Sequence, residues 1–227
     1  PKFRWENCEK CRKRMAQENL KDEHELQSYF IERIAKVLEK KNKSIIGWDE
    51  IIESKINSNL TIQSWRGFSG GIKAVKEGKK TIMSPTSHCY FDYDINSIDL
   101  EKVYTFNPIP SEIDSLESKL IIGGECNLWS ERIPSEKELD RKTFPRLLAM
   151  SEVLWTYRKD KFDNFQNRVE EHYPIFSLLD VHYGIESSPI RLSSKINNRK
   201  IKAVVNSKIK NLEFTYQWDN KKAKPIK

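Results

Sequence analysis

The spacing of apolar positions changes period along the chain. Residues 22–41 place Leu26, Phe30, Ile34, Val37 and Leu38 at helical spacing, which predicts an amphipathic helix with those residues on its core face. Asp22, Glu23 and Glu25 in its first turn and Lys36, Lys40 and Lys41 near its end match the helix dipole. Short apolar runs follow at 44–48, 60–65, 81–83 and 120–123. These runs are continuous rather than alternating, the pattern of parallel strands buried on both faces. A short helix is predicted over 70–78, with a glycine stop. The stretch 85–118 carries Pro108 and Pro110 and reads mostly as loop. Residues 136–155 predict a helix with Leu139, Leu147, Leu148, Ser151 and Leu154 along one stripe; Pro145 should kink it or open a new first turn. Residues 160–182 add helix around Phe162, Phe165 and Val169. After Pro189 the period falls to two, through Ile201, Ala203 and Val205 and then Leu212, Phe214, Tyr216 and Trp218, which predicts antiparallel β structure.

Strands alternating with helices imply a parallel sheet with right-handed crossovers, so the fold class is α/β. A change of architecture is expected near residues 184–190. The whole chain is 227 residues, whereas a complete (β/α)8 barrel usually takes about 250. No run approaches the roughly 18 apolar residues of a membrane span. The chain starts at Pro1 without a methionine or an apolar leader, so a removed targeting segment or a piece of a longer protein is expected.

The formal net charge of +7 raises the question of nucleic-acid binding, but its distribution argues against it. Residues 189–227 hold eleven Lys/Arg and two Asp/Glu, a balance of +9. The first 188 residues are therefore at −2, with no positive channel to expect. Four cysteines stand at positions 8, 11, 89 and 126. Cys8 and Cys11 form one C-x-x-C without a second pair or a nearby H-x-x-H, so structural zinc is disfavoured; a thioredoxin-type motif would need a different βαβ context, and a disulfide or two free thiols is expected.

Three tryptophans share one position. Trp48, Trp65 and Trp129 each close a predicted strand and are followed by polar residues. Ligands of parallel α/β sheets and barrels bind at the C-terminal strand ends. Flat aromatic faces suit the C–H faces of a sugar ring, and carboxylates accept its hydroxyl hydrogen bonds. Asp49, Glu50, Asp92 and Glu131 belong to the same rim. Spacing alone leaves carbohydrate binding and plain core packing both open.

The wording of the strand ends goes further. Ile46-Gly47-Trp48-Asp49-Glu50, Ser64-Trp65-Arg66-Gly67, Pro85-Thr86-Ser87-His88-Cys89-Tyr90-Phe91-Asp92 and Asn127-Leu128-Trp129-Ser130-Glu131 resemble, in order, the rim motifs of family 20 glycoside hydrolases, the β-N-acetylhexosaminidases. Residues 144–155, from Phe144-Pro145-Arg146 to Trp155, look like that family's last barrel helix, and Trp5-Glu6-Asn7-Cys8-Glu9-Lys10-Cys11 resembles the stretch just after its catalytic strand.

The resemblance implies a (β/α)8 barrel of which the last four or so strand–helix units are present. It divides the chain into 1–157 (barrel half), 158–186 (terminal helical segment) and 187–227 (start of a small β domain). It also implies an exo-acting hydrolase that removes terminal β-linked GlcNAc or GalNAc with retention. The substrate's own acetamide is the nucleophile, an exception to the two-carboxylate rule. By the resemblance Tyr90 is catalytic, hydrogen-bonding the acetamide oxygen. Trp48, Trp65 and Trp129 would wall the sugar site, and Asp92 and Glu131 would hold hydroxyls. The family's catalytic Asp-Glu pair would lie just before Pro1, and its substrate-binding arginine is absent. Asp49-Glu50 matches a different strand and is read as a solvated or supporting pair. His88 could support Tyr90 or Asp92, or be structural. No metal or cofactor is implied. The implied partners are N-acetylhexosamine-terminated glycans, not nucleic acid or a membrane, and the implied location is outside the cytoplasm. A non-catalytic carbohydrate-binding homologue is the alternative.

Overall fold

Two short helices, α1 (Lys2–Glu6) and α2 (Glu9–Gln17), lead into the long α3 (Glu23–Glu39). The computed structural model describes residues 2–53, 60–157 and 161–184, and beyond them 191–197, 200–206, 213, 215–217, 222 and 224–225. Asp22 starts α3 by accepting hydrogen bonds from the backbone N–H groups of His24 and Glu25, which satisfies two otherwise orphaned donors.

The helix forms as predicted, but its buried face is different. Leu26 and Ala35 are buried, whereas Phe30, Ile34 and Val37 are exposed. The face turned to the sheet brings Ile31 against the cluster of Ile51, Leu60, Ile62 and Ala74. Hydrophobic spacing finds the apolar side of a helix; which part of that side meets the sheet depends on docking.

The parallel sheet comes next. Its strands are β1 (Ile45–Trp48), β2 (Leu60–Ser64), β3 (Thr81–Met83) and β4 (Ile121–Gly124), ordered β1-β2-β3-β4. Gly47 pairs with Ile62, Ile62 with Thr81 and Thr81 with Ile121; a register shift between Thr81 and Ile82 irregularises the last ladder. Every residue of β2 is buried. Ile46 on β1 and Ile122 on β4, the two outer strands, are more than half exposed, at 55% and 53%. The expectation of strands buried on both faces therefore holds for β2 and fails at these edge positions.

Helix α4 (Ser69–Lys76) covers β2 and β3. Its approach is close: a Cβ added at Gly71 would lie 2.5 Å from the Met83 sulfur, and one at Gly70 would lie 2.8 Å from an Asp49 carboxylate oxygen. Residues 85–118 are mostly irregular, as expected, but include α5 (Thr86–Cys89) and α6 (Leu100–Tyr104). Leu100, Val103 and Phe106 are buried, so this segment is part of the core.

The predicted helix over 136–155 divides at Pro145 into α7 (Glu136–Thr143) and α8 (Arg146–Trp155). Because the helix breaks there, no single stripe runs through it. Leu139 and Ser151 are exposed, and the buried positions of α8 are Arg146, Ala149, Met150 and Val153. Helices α9 (Phe162–Glu170) and α10 (Tyr173–Leu178) complete this part, with Phe165 and Val169 buried against the same core.

Beyond lies an antiparallel hairpin of β5 (Arg191–Asn197) and β6 (Lys200–Asn206), and a two-residue pair of β7 (Thr215–Tyr216) and β8 (Lys224–Pro225). The period-two reading is met at Ile201–Val205. Leu212, Phe214 and Trp218 lie outside the described residues, as does most of the expected boundary at 184–190. Among the described residues no helix is long and apolar enough to cross a membrane.

Candidate active site

All four parallel strands end on one side, and the segments leaving those ends assemble the site. Trp48 is the last residue of β1, and Asp49 opens the 3-10 turn after it. The Asp49 carboxylate is 1% exposed. Its Oδ2 accepts from the backbone N–H of Trp65 at 3.1 Å and of Arg66 at 3.3 Å, and its Oδ1 meets Arg66 Nε at 2.6 Å. Glu50 accepts from the Trp65 indole N–H at 3.0 Å. Ser64 completes the turn by donating to the carbonyl of Gly67 and accepting from the backbone N–H of Gly71. The Asp49-Glu50 pair is therefore spent on fixing Trp65 and its loop. The supporting role expected of the pair holds, but Asp49 is not solvated.

The third and fourth strand ends are joined by Asn127. Its N–H donates to the carbonyl of Cys89 at 2.7 Å, and its carbonyl accepts from the N–H of Phe91 at 2.8 Å, which forms a parallel bridge between Asn127 and Tyr90. The Asn127 amide also donates to Ser84 Oγ, which donates in turn to the carbonyl of Glu125. This buried wiring sets Trp129 beside Tyr90.

Four rings then close a circuit. Trp48 lies 6.4 Å from Trp65 and 6.0 Å from Trp129, centroid to centroid. Trp65 lies 6.3 Å from Tyr90, and the Trp129 indole hydrogen-bonds the Tyr90 hydroxyl. These separations are those of interacting aromatic pairs. Tyr93 extends the circuit, 5.5 Å from Tyr90, with the Arg132 guanidinium 4.9 Å above its ring.

The indole is a donor only, so Tyr90 accepts from it and its own O–H is left to donate elsewhere. Burial pushes the Tyr90 phenol up to about 12, with Tyr93, Asp92 and Asp49 adding to the rise and the Trp129 bond opposing it. Tyr90 is thus a neutral donor at any ordinary pH.

The sequence-predicted residues fall into different settings. Trp48, Trp65, Tyr90 and Trp129 come together. Asp92 is buried at 3% exposure, with Oδ1 sealed from solvent and without a hydrogen-bond partner. Glu131 sits exposed on the 3-10 turn Ser130–Arg132, beside Trp129 in the chain. His88 supports neither Tyr90 nor Asp92. Its ring packs 5.9 Å from Phe68 and 5.8 Å from Phe106, and its Nδ1 meets Ser87 Oγ. Burial, helped by Lys102, pushes it down to about 4. Of the two readings of His88, site support is corrected and the structural one stands: an aromatic pocket has taken the imidazole.

Arg146 lies outside the sequence-predicted set of site residues. Fully buried, it donates to the carbonyls of Phe91, Ile98 and Lys142 and stacks 4.7 Å over the Phe91 ring. Burial holds its guanidinium down to about 10, and Asp92 is the foremost group opposing that shift. It pins the loop that carries Tyr90 and Asp92. Arg146 opens α8, and periodicity does not reveal it, because two of its three partners, the carbonyls of Phe91 and Ile98, are remote in sequence. Among the described residues no group of three or more His, Cys, Asp or Glu is placed to share a metal ion.

The chain is similar to known proteins. The model of the glycosyl hydrolase family 20 catalytic domain matches residues 1–158. The chain belongs to glycosyl hydrolase family 20. It is 38% identical over 198 residues to a beta-hexosaminidase of Porphyromonas gingivalis, a match covering 82% of this chain and 26% of that protein. It is 28% identical over 169 residues to a beta-N-acetylhexosaminidase of Cellulomonas fimi, covering 68% and 34%.

Among solved structures, a family 20 exo-β-N-acetylglucosaminidase of Vibrio harveyi in complex with N-acetylglucosamine superposes with a TM-score of 0.73 at 27% identity, covering 81% of this chain and 31% of that one. A β-N-acetylhexosaminidase of Bacteroides fragilis gives 0.72 at 29% identity, covering 82% and 41%. The chain thus spans about a quarter to a third of the length of these two curated relatives.

Proposed function

We propose that this chain carries part of the active site of an exo-acting β-N-acetylhexosaminidase that cleaves terminal β-linked GlcNAc or GalNAc with retention of configuration. The observation that carries the reading is the closed circuit of Trp48, Trp65, Tyr90 and Trp129, with the Tyr90 hydroxyl oriented by the Trp129 indole. The open β1-β2-β3-β4 sheet is then a sector of a (β/α)8 barrel, whose remaining strands would cover Ile46 and Ile122.

In this reading the tryptophans form the walls of an acetamide pocket. They hold the acetamide under the anomeric carbon, so the internal nucleophile is close and aligned before the reaction starts. Tyr90 donates to the acetamide oxygen. As that oxygen attacks C1, positive charge develops on the acetamide, an oxazolinium-type intermediate forms, and Tyr90 keeps the group in the attacking orientation. Water then opens the ring from the same face as the departed group, which gives net retention. Glu131 contacts sugar hydroxyls; Asp92, sealed from solvent in this chain, reaches them only if its loop opens. The proton for the leaving oxygen needs a carboxylic acid, and we assign it to an Asp-Glu pair outside these residues, since Asp49 and Glu50 are occupied with Trp65 and Arg66.

The test is hydrolysis of an aryl N-acetyl-β-glucosaminide by the full-length protein, with NMR of the first-formed product. Release of the β-anomer supports the proposal. Tight binding of the sugar without turnover would favour a carbohydrate-binding homologue instead. The 227-residue chain alone is expected to be inactive, and turnover by it would return Asp49-Glu50 to the role of catalytic pair.

A further inference from the structure

The C-x-x-C pair takes no part in the site described above. Cys8 stands at the N-cap of α2 with an extended backbone (φ −95°, ψ 116°), and Cys11 is the third residue of that helix. The Cys8 carbonyl accepts from the N–H of Arg12 at 3.0 Å, and its own N–H donates to the Trp5 carbonyl, so the main chain of the turn is fixed at both sides of the cysteine. The Cys8 side chain makes no cap hydrogen bond to the first-turn N–H groups. Side chains in the first turn lean back toward the N-terminus. Residues three apart on a helix are neighbours, so the two side chains stand next to each other at the start of α2. Both residues are partly exposed, and neither is in a disulfide.

We propose that Cys8 and Cys11 form a dithiol that exchanges reversibly with small-molecule disulfides, with Cys8 as the attacking sulfur and Cys11 as the resolving one. The inference is independent of the glycosidase reading.

The Cys8 thiolate attacks one sulfur of a low-molecular-weight disulfide; that S–S bond breaks, and one thiolate leaves and takes up a proton from solvent. Cys11 then loses its proton to solvent and attacks the Cys8 sulfur of the mixed disulfide, expelling the second thiol. The protein loses two protons and two electrons, and the small disulfide is reduced to two thiols.

The surroundings divide the roles. The Cys11 backbone N–H, then its thiol, then Lys10, hold Cys8 below the usual thiol range, while Cys8, burial and Glu23 push Cys11 up. The other two cysteines provide an internal control. Cys89 is fully buried, and burial pushes both Cys89 and Cys126 up, so neither is a ready nucleophile.

The test exposes the native full chain to oxidised glutathione, alkylates it with iodoacetamide, and maps the peptides by mass spectrometry. The Cys8–Cys11 peptide is expected to lose at least about tenfold of its alkylation and to carry an internal disulfide that dithiothreitol reverses. The Cys89 and Cys126 peptides are expected to alkylate fully once the chain is unfolded. Cys11→Ser should accumulate a glutathione adduct on Cys8, and Cys8→Ser should accumulate far less. Unchanged alkylation of both cysteines, adducts appearing equally in the two variants, or oxidation directed to Cys89 and Cys126 would each overturn the proposal.

Discussion

The Asp49 carboxylate is 1% exposed while its ion-pair partner Arg66, 2.6 Å away, is 44% exposed. The pair therefore anchors an outer cation to a buried anion. That anion also receives the N–H groups of Trp65 and Arg66, so its loss leaves two main-chain donors unpaired at a strand end. We expect Asp49→Ala to lower stability by about 3 kcal/mol in urea unfolding. The same variant should displace Trp65, seen as a change in tryptophan fluorescence.

Tyr90 and Trp129 make the second prediction. On the proposed mechanism, Tyr90→Phe in the full-length protein removes the donor to the acetamide oxygen. By comparison with other single donors of this type, kcat should fall by about 100-fold, with a much smaller change in KM. Trp129→Phe should lower kcat less, because it leaves the Tyr90 hydroxyl in place but unoriented. Equal kcat for Tyr90→Phe and the parent would remove Tyr90 from the mechanism.

Arg146 makes the third. Replacing it with Met leaves the carbonyls of Phe91, Ile98 and Lys142 without their donor in a dry interior. The expected loss is about 3 kcal/mol or more. Arg146→Lys should recover little of it, since one ammonium cannot reach three carbonyls in the fork that guanidinium provides. Thermal unfolding of the two variants separates geometry from charge.

The fourth concerns pH. His88 has a folded pKa of about 4 against 6.5 for the free side chain. Between those values the unfolded chain takes up a proton that the folded chain refuses. Stability is therefore present in full above pH 6.5 and declines as pH falls toward about 4. His88→Phe, which suits the pocket of Phe68 and Phe106, should flatten that part of the stability profile in acid titrations followed by circular dichroism.

Some of this is legible in local pattern because it depends on local chemistry. The four strand runs, the helix over Glu23–Glu39 and the break at Pro145 can be read because burial period, capping and proline geometry act over a few residues. Trp48, Trp65 and Trp129 are recognisable as a group by their shared place after a strand. Which face of α3 is buried is not legible in this way, since Ile31 packs on the cluster of Leu60 and Ile62, Ala35 is buried and Phe30 is exposed. That choice belongs to the helix–sheet contact, and a broad apolar side leaves it open.

By itself, then, the sequence determined the α/β alternation, the family motifs and the rim on which they stand. Only the tertiary structure decided what each polar group at that rim is free to do. Asp49 and Glu50 are committed to Trp65 and Arg66, His88 is enclosed by two phenylalanines, and Arg146 is drawn in to hold the loop of Tyr90. The reason is physical: hydrogen-bond partners and dielectric surroundings come from segments far apart in the chain, and spacing along the chain carries no information about them.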